Sequence, residues 1–326
     1  MSFAEFHAEL RSVASGLLSK DRVVDWAVIT AAGWAGLEVP GDVGGAGATF
    51  REVAIVCEEM GRAASANSFF GSAVLAVGAL NALQPSASRD GMLRDVASGE
   101  ARVAVALEPG EFVLDAEGAD RLLIITTDSC GTPVVVATHD LVVTPQPVLD
   151  DTRRLAVVPR PEVADADVLR FDGDPDERVR QLHDRAAVAI ACDSLGLSEA
   201  MLSATVSYAK ARHQFGRPIG SFQAVKHACA DMLVTISVAR QLVNAAVEAV
   251  AYSRADAWVA ASMAKAYTCA AAVDIVGKAM QLHGGIGYTA ESGIHVYLKR
   301  AALNRALFGS PAAHRRRLAQ RYLQDS

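Results

Sequence analysis

The segment RHQFGRPIGSFQAVKH, residues 212–227, interrupts a part of the chain that is otherwise rich in alanine, valine and leucine. Its turn-forming residues Gly216, Pro218 and Gly220 predict a sharp reversal between two helices, because glycine and proline favour turns and end helices. Long segments with helical apolar spacing lie on both sides and further along the chain, which predicts a helical bundle. We expect these helices at about residues 177–212, 221–252, 255–283 and 290–306, with a shorter one near 311–323.

The rest of the chain divides by its residue pattern into two further zones. Residues 103–172 contain the β-branched runs RLLIITTD and PVVVAT, separated by the turn-forming SCGTP and followed by DLVVTPQPVL and RLAVVPRP, which predicts a small antiparallel β domain. Residues 1–102 are predicted to be helical, with Thr49 as the N-cap of the helix in TFREVAIVCEEMGRAA. The fold class is therefore mainly α with a small β domain, divided at residues 1–102, 103–172 and 173–326.

Composition and charge exclude several classes of function. The formal net charge of −6 argues against a nucleic-acid partner held through phosphate contacts. Five scattered cysteines without a C-x-x-C pair argue against a disulfide framework and against a zinc or other metal site, and they favour a cytoplasmic protein. No uninterrupted apolar run reaches about 18 residues, so we predict no membrane span.

A glycine-rich stretch, GLEVPGDVGGAGA at residues 36–48, precedes the helix that Thr49 caps. Such a loop before a helix can bind phosphate, but it lacks the G-x-x-x-x-G-K-[ST] and G-x-G-x-x-G patterns. Both a structural loop and a phosphate site are left open at this point, and the missing patterns favour the structural loop.

Several short sequence motifs resemble those of the acyl-CoA dehydrogenase family of flavoproteins and occur in the same order along the chain. They are GLEVPGDVGGAG, EEMGR, SGEARVAVALEPG, LDDTRRLAVV, ARHQFGRPIGSFQAVKHACADM and QLHGGIGYTAE. The resemblance covers nearly the whole chain. It implies an N-terminal helical domain, a middle β domain and a C-terminal four-helix bundle. It also implies α,β-dehydrogenation of an acyl-CoA with FAD, and electron transfer to an electron-transfer flavoprotein. The variants LDDTRRLAVV, YLKRA and LFGSPAAHR look like actinobacterial members linked to steroid or cholesterol side-chain breakdown.

The resemblance assigns two groups of residues to FAD, and both reach a neighbouring subunit's cofactor in the family. The first group is Arg212, Gln214, Phe215 and Gln223; the second is Gln281, Gly284 and Gly285. A guanidinium suits an anionic pyrophosphate, a glutamine amide both donates and accepts, and glycines let backbone amides approach phosphate. Ser310, which keeps the hydroxyl of a Gly-Thr pair in a third motif, is also predicted to contact FAD, and Ser221 is expected to cap the second bundle helix. The alternative is that these motifs are only polar turns between helices.

The catalytic base of the family is missing from both of its usual positions. Phe308 stands where one glutamate is expected and Ala186 where the other is, and neither side chain can accept a proton. The nearest weak candidate is Asp193, inside the apolar run AAVAIACDSLGL, for which a paired structural carboxylate is the other interpretation. The motifs that surround the flavin ring in the family are also lost after Glu108-Pro109-Gly110.

Three hypotheses follow from this pattern. In the first, the chain contributes FAD-binding residues to a glutamate-bearing paralogue in an α2β2 heterotetramer. In the second, it is a self-sufficient homo-oligomeric dehydrogenase with Asp193 as a relocated base. In the third, it is a non-catalytic scaffold subunit that does not touch flavin.

Overall fold

The computed structural model describes residues 3–139, 142–161 and 168–324, which form two compact units. One unit comprises Met1–Arg22, Cys57–Ser65 and Ala187–Ser326, and the other comprises Val23–Val56 and Ala66–Ala186. Two helices run through both units, α3 at Phe50–Ala63 and α6 at Pro175–Ala211. The division into three sequence zones remains a prediction.

The helical unit contains the predicted bundle. Besides α6, its helices are α1 (Phe3–Leu18), α7 (Gln223–Ala251), α8 (Ala257–His283), α9 (Ile294–Ala306) and α10 (Pro311–Gln324). The predicted helices are confirmed within a few residues at each end, because glycines and prolines mark the breaks. Thr49 is confirmed as the cap of α3: its hydroxyl accepts from the backbone N–H of Arg51 at 3.3 Å, and its own backbone N–H donates to Glu52 Oε2 at 2.8 Å.

Two glycines let α3 and α6 cross with their backbones in contact. A Cβ atom at Gly61 of α3 would overlap the carbonyl oxygen of Asp193, and one at Gly196 of α6 would overlap the carbonyl oxygen of Glu58. The two positions are reciprocal, since each glycine faces the other helix's backbone. No side-chain rotation can relieve such an overlap, so the crossing requires glycine at both positions.

Gly61→Ala should therefore lower the free energy of unfolding by about 1–3 kcal/mol, because the two helices must move apart. The measurement is urea unfolding followed by circular dichroism. Gly277→Ala is the matched control: Gly277 lies inside α8 with open space around its Cα. That substitution should raise stability by about 0.5–1 kcal/mol through helix propensity. Equal effects of the two substitutions would contradict the close crossing.

A network of charged side chains ties together α1, α3, α6 and α7. Glu58 and Glu59 are nearly buried, at 7% and 2% side-chain exposure. Both carboxylates form ion pairs with Arg11 and Arg62, and Glu58 also pairs with Arg240. Glu199 of α6 joins the network through ion pairs with Arg62 and Arg240. A network of this kind fixes the relative positions of the helices, because removing one member leaves a buried charge without its partner.

The second unit combines short helices with two small β-sheets. Its helical segments are α2 (Trp26–Ala31), a π-helical turn (Phe70–Ala76), α4 (Val77–Asn81) and α5 (Ala87–Ser98). One sheet has the strand order β1-β3-β4-β7 and the other β2-β6-β5. The strands are β1 (Val103–Ala106), β2 (Gly110–Leu114), β3 (Arg121–Thr127), β4 (Pro133–Thr138), β5 (Thr144–Gln146), β6 (Leu155–Val158) and β7 (Val168–Leu169).

The prediction of a purely antiparallel β domain was wrong for one strand pair. β3 and β4 form the expected antiparallel hairpin, but β1 pairs with β3 in parallel. The reason is that β2 belongs to the other sheet, so the chain leaves the first sheet after β1 and re-enters it in the same direction. In the segment DLVVTPQPVL, Asp140 and Leu141 lie outside the described residues.

The prediction that no segment could span a membrane was based on uninterrupted apolar runs. By length and composition alone, three helical segments are apolar enough to cross one: Pro175–Ala211, Gln223–Ala251 and Ala257–Tyr288. Within the fold, 78% and 61% of the apolar windows of the first and third are buried, whereas only 28% of the window in α7 is. The apolar character of α6 and α8 is thus used for packing inside the chain.

Candidate functional site

The segment between α6 and α7 folds into a short hairpin. Its strands are β8 (His213–Gln214) and β9 (Arg217–Pro218), and the backbone N–H of Ile219 donates to the carbonyl of Arg212 at 2.8 Å. Both residues of the turn have the left-handed backbone conformation, with φ 52° at Phe215 and φ 77° at Gly216. A two-residue hairpin turn of type I′ requires positive φ at both positions. A non-glycine residue in this region is strained, so the surroundings must hold Phe215 in place.

Aromatic and cationic side chains hold the hairpin. The ring of Phe215 meets the ring of Phe222 edge-on, with centroids 6.2 Å apart, and the guanidinium of Arg217 lies 4.2 Å above the Phe222 ring. Phe215 nevertheless stays 92% exposed. The predicted FAD contacts Arg212, Gln214 and Gln223 are exposed beside it.

The prediction that Ser221 caps α7 was wrong. The N-cap residue of α7 is Phe222, without a side-chain cap bond, and the Ser221 hydroxyl donates to the carbonyl of Pro218 at 2.7 Å. The 3₁₀ turn Ile219–Ser221 draws this hydroxyl back toward the hairpin. Ser221 therefore stabilises the reversal itself.

The second predicted group lies where α8 ends. Gly284 has φ 62° and ψ −143°, a conformation that is open essentially to glycine alone, and Gly285 faces open space. His283 Nδ1 donates to the carbonyl of Ala279 at 2.7 Å, within the last turn of α8. Lys278 donates to Gln281 Oε1 at 3.0 Å, and Gln281 is exposed.

The two groups lie at the same end of the bundle. The ring of His283 stacks on that of Tyr208, with centroids 4.4 Å apart, and Tyr208 precedes Arg212 by one helical turn. This stacking contact between Tyr208 and His283 was not predicted from the sequence. Tyr208 and His283 occupy helix-end positions next to each motif, and this was the only sequence signal for the contact.

Ser310 lies apart from these groups. Its hydroxyl accepts from the backbone N–H of Ala313 at 3.2 Å, in the first turn of α10. The turn before it is held by Lys265 of α8, whose ammonium donates to the carbonyls of Asn304 and Gly309, both at 2.9 Å. Lys265 is sixteen residues from Gln281 along α8, about 24 Å at the rise of an α-helix. Ser310 therefore does not join the other predicted contacts.

The turn that contains Phe308 is held firmly, although it carries no acid. Phe308 is left-handed at φ 52°, and its carbonyl accepts from His314 Nε2 at 2.9 Å. Burial lowers the pKa of Lys265, which meets the carbonyl of the next residue, Gly309. Neither this buried lysine nor His314 was picked out from the sequence.

Asp193 is enclosed rather than available to a substrate. Its carboxylate accepts from Arg300 Nε at 2.9 Å, from the other arm of the same guanidinium at 2.5 Å and from Asn304 Nδ2 at 2.7 Å. Both ends of the ion pair have side chains that are 1% exposed. A proton acceptor must reach the atom that loses the proton, so this geometry favours the structural interpretation of Asp193. Ala186, at the other expected base position, is completely buried.

The glycine-rich loop at residues 36–48 uses its backbone donors internally. The N–H groups of Ala46, Gly47 and Ala48 donate to the carbonyls of Gly36, Val39 and Leu37, at 2.9, 2.9 and 2.7 Å. Glu38 forms an ion pair with Arg185, and Val39 is fully buried. These contacts favour the structural loop over a phosphate site.

The residues at the hairpin end fit the adenosine diphosphate half of a dinucleotide. An exposed guanidinium suits pyrophosphate, an exposed phenyl ring suits a flat base, and two glutamine amides suit its polar edges. The strained, uncovered Phe215 and the glycine-only geometry at Gly284 are the observations that favour a binding site over a polar turn, and the site residues stay a prediction.

Comparison with known proteins gives the same result for the N-terminal and the C-terminal parts of the chain. The model for the N-terminal domain of acyl-CoA dehydrogenases matches residues 4–100, and the model for the C-terminal domain matches residues 179–323. The chain is 38% identical over 289 residues to acyl-CoA dehydrogenase IpdE2 of Mycobacterium tuberculosis, covering 88% of this chain and 82% of that protein. It is 33% identical over 286 residues to IpdE2 of Mycolicibacterium smegmatis, covering 88% and 83%.

Solved structures share the fold. A variant of the Tcur3481-Tcur3483 steroid ACAD matches with a TM-score of 0.88 and 25% identity over 99% of both chains. Butyryl-CoA dehydrogenase from Megasphaera elsdenii matches with a TM-score of 0.88 and 18% identity, also over 99% of both chains. The ChsE4-ChsE5 complex from Mycobacterium tuberculosis matches with a TM-score of 0.86 and 21% identity over 100% of this chain and 98% of that one.

Proposed function

Because the chain belongs to the acyl-CoA dehydrogenase family, whose members depend on FAD, we propose that it is one subunit of a heteromeric acyl-CoA dehydrogenase. Its partner is a paralogue that carries the catalytic glutamate, and the two form a cytoplasmic α2β2 assembly. The chain contributes FAD contacts to the partner's site. The observation that carries this proposal is the separation of two features: dinucleotide-type donors are exposed at one end of the bundle, while neither expected base position carries an acid.

Each residue has a defined part in this arrangement. Arg212 would bind the pyrophosphate of FAD, Phe215 would cover the adenosine, and Gln223 and Gln281 would bond its polar edges, with Gln214 beside them. Gly284 and Gly285 keep side chains out of the way so that backbone N–H groups could approach. FAD held there would supply the hydride acceptor for α,β-dehydrogenation, with an electron-transfer flavoprotein as the electron acceptor. The proton is taken by the partner's glutamate, since Phe308 and Ala186 cannot take it.

The relatives support a proposal for the substrate class. The Tcur3481-Tcur3483 structure is named a steroid ACAD, and the motifs LDDTRRLAVV and LFGSPAAHR also resemble steroid-degrading members. We assign the enzyme an acyl-CoA whose acyl part is a steroid or a steroid side chain.

Co-expression with paralogues encoded nearby tests the proposal. The purified complex should be yellow, with one FAD for each pair of unlike chains, while this chain purified by itself should be colourless and inactive. The measurements are the flavin spectrum, the subunit stoichiometry and turnover of acyl-CoA with an artificial electron acceptor. If this chain purified without a partner is yellow and active, the proposal is wrong and the self-sufficient homo-oligomeric enzyme is favoured.

A further inference from the structure

A polar cavity of about 470 Å³ lies in the helical unit, and none of the predicted FAD contacts lines it. Its wall comes from the end of α1, from the residues directly after that helix, from α3 and from α9. Pockets that hold small molecules have volumes of about 300–1,000 Å³, so the size of this cavity suits a small ligand.

The cavity has positive charge that the protein itself does not neutralise. It is lined by three cations and two carboxylates: Lys20, Arg22, Arg62, Asp21 and Glu59. Glu59 is already paired with two arginines, and Asp21 also has a partner within the protein. In the part of the chain that the structure describes, by contrast, no carboxylate pairs with Lys20 or Arg22. These two cations are therefore available to an anion from outside.

The negative end of α1 is largely occupied by the chain itself. A helix leaves its last four carbonyl groups without partners inside the helix, and they carry its negative partial charge. In α1, the backbone N–H of Ser19 donates to the carbonyl of Ser15 at 3.1 Å, and the hydroxyl of Ser19 donates to that of Gly16 at 3.1 Å. The N–H of Lys20 donates to the carbonyl of Leu17 at 3.4 Å. These carbonyls consequently offer little repulsion to an anion in the cavity.

Contacts on both sides hold Arg22 at the cavity. Its carbonyl accepts from the hydroxyl of Ser65 at 3.2 Å, which fixes its backbone. Its guanidinium reaches the start of α9, where a Cβ atom on Gly293 would lie 3.6 Å from its Nη2. Burial raises the pKa of Tyr297, and the charges of Arg22 and Arg62 oppose this rise, so both guanidinium groups act on that phenol. A side chain that is already placed loses less freedom when a ligand binds.

The donors and the carbon surface of the cavity together suit a phosphate carried on a small organic group. Lys20 offers a compact ammonium and Arg22 a planar guanidinium, and both groups bind phosphate oxygens well. A phosphate has three oxygens and close to two negative charges, so it can meet both cations at once. Leu18, Ala63 and Tyr297 supply apolar and aromatic wall that an inorganic ion would leave uncovered.

We propose that this cavity binds a small phosphorylated compound, whose phosphate lies between Lys20 and Arg22 and whose organic part packs on Leu18, Ala63 and Tyr297. The site shares no residue with the predicted FAD contacts, so the inference stands apart from the proposed function. Because separate helices form its wall, the ligand would bind the folded chain and not the unfolded one, and it would therefore raise the Tm.

Thermal unfolding of the full chain with three anions at equal ionic strength is the first test. Phenyl phosphate should raise the Tm by several degrees, inorganic phosphate should raise it less, and acetate should not change it. The proposal is wrong if phenyl phosphate leaves the Tm unchanged, or if acetate raises it equally. Equal shifts with phenyl phosphate and inorganic phosphate would overturn the organic part of the proposal and assign the cavity to the free ion.

Calorimetric titration of phenyl phosphate into the full chain locates the site. Arg22→Gln and Lys20→Gln should each raise the Kd by about tenfold, because each removes a charge-assisted hydrogen bond. Both side chains are exposed, so the variants should keep the Tm of the unmodified chain when no phosphate is present. Lys210→Gln is the matched control, since Lys210 is exposed and does not line the cavity, and it should leave the Kd unchanged. Unchanged affinity in both cavity variants overturns the proposal.

The FAD content of the heteromeric complex shows whether this site is separate from the cofactor. Arg22→Gln should leave the ratio of flavin to protein unchanged. If Arg22→Gln lowers that ratio as Arg212→Met is expected to do, the cavity cations serve FAD and the separate phosphate site is wrong. A complex without flavin contradicts only the proposed function, because phosphate binding is measured on this chain alone.

Discussion

Arg300→Met should lower the free energy of unfolding by about 3–5 kcal/mol, because it leaves the carboxylate of Asp193 buried without its counter-charge. The guanidinium bonds both oxygens of Asp193, and its remaining arm donates to the carbonyl of Ser65 at 2.8 Å. Methionine fills similar space but donates to none of these atoms. Urea unfolding of the purified chain, followed by circular dichroism, measures the loss.

Two further variants isolate the cause. Arg254→Met removes an ion pair with Asp256 whose side chains are 57% and 56% exposed, and it should change stability by no more than about 1 kcal/mol. Combining Arg300→Met with Asp193→Leu removes both charges and should recover much of the loss. If the double variant is no more stable than Arg300→Met, the uncompensated charge is not the cause.

Arg212→Met should weaken FAD binding by the heteromeric complex about 10- to 100-fold, since a charge-assisted hydrogen bond contributes about 1.5–3 kcal/mol. The guanidinium is exposed at the start of the hairpin, so its loss should leave the fold and the subunit stoichiometry intact. The measurement is the ratio of flavin to protein absorbance after dialysis, together with a titration of FAD into the stripped complex.

Lys210→Met provides the matched control for Arg212. It removes the same charge from an exposed position two residues earlier, and it should leave the FAD content unchanged. Equal FAD affinity in the Arg212→Met and Lys210→Met complexes would favour the scaffold hypothesis, in which the chain stabilises its partner without touching the cofactor.

The sequence predicted the helices of the bundle well, and the contacts between them poorly. Helical apolar spacing shows which face of a helix is buried, and Gly216 or Gly284 shows where it stops, but neither shows what lies opposite. Asp193 illustrates this limit: its apolar surroundings required a partner, yet Arg300 lies 107 residues further along the chain. The sequence did not indicate the helix crossing at Gly61 and Gly196 either, because local spacing does not show which helix lies opposite.

Local motifs likewise indicated the kind of site or secondary-structure element, but they did not indicate how far apart these lie in the fold. Ser310 and Gln281 were both predicted to contact FAD, but the length of α8 separates the two residues in the structure. Runs of β-branched residues identified β3 and β4 as strands, but β1 was not recognised, and the pattern of a strand is the same in a parallel and an antiparallel pair. The direction depends on β2 leaving for another sheet, which no local pattern specifies.

The hairpin at Phe215 has a consequence for the speed and selectivity of association. Its two strands, the stacked Arg217 and the edge-on ring of Phe222 are in place within this chain alone. Ordering a free segment would cost about 1–2 kcal/mol for each residue fixed. A hairpin that is already formed before it meets a ligand avoids much of that entropic cost, so a ligand that fits its shape should bind faster there than at a segment that must first be ordered.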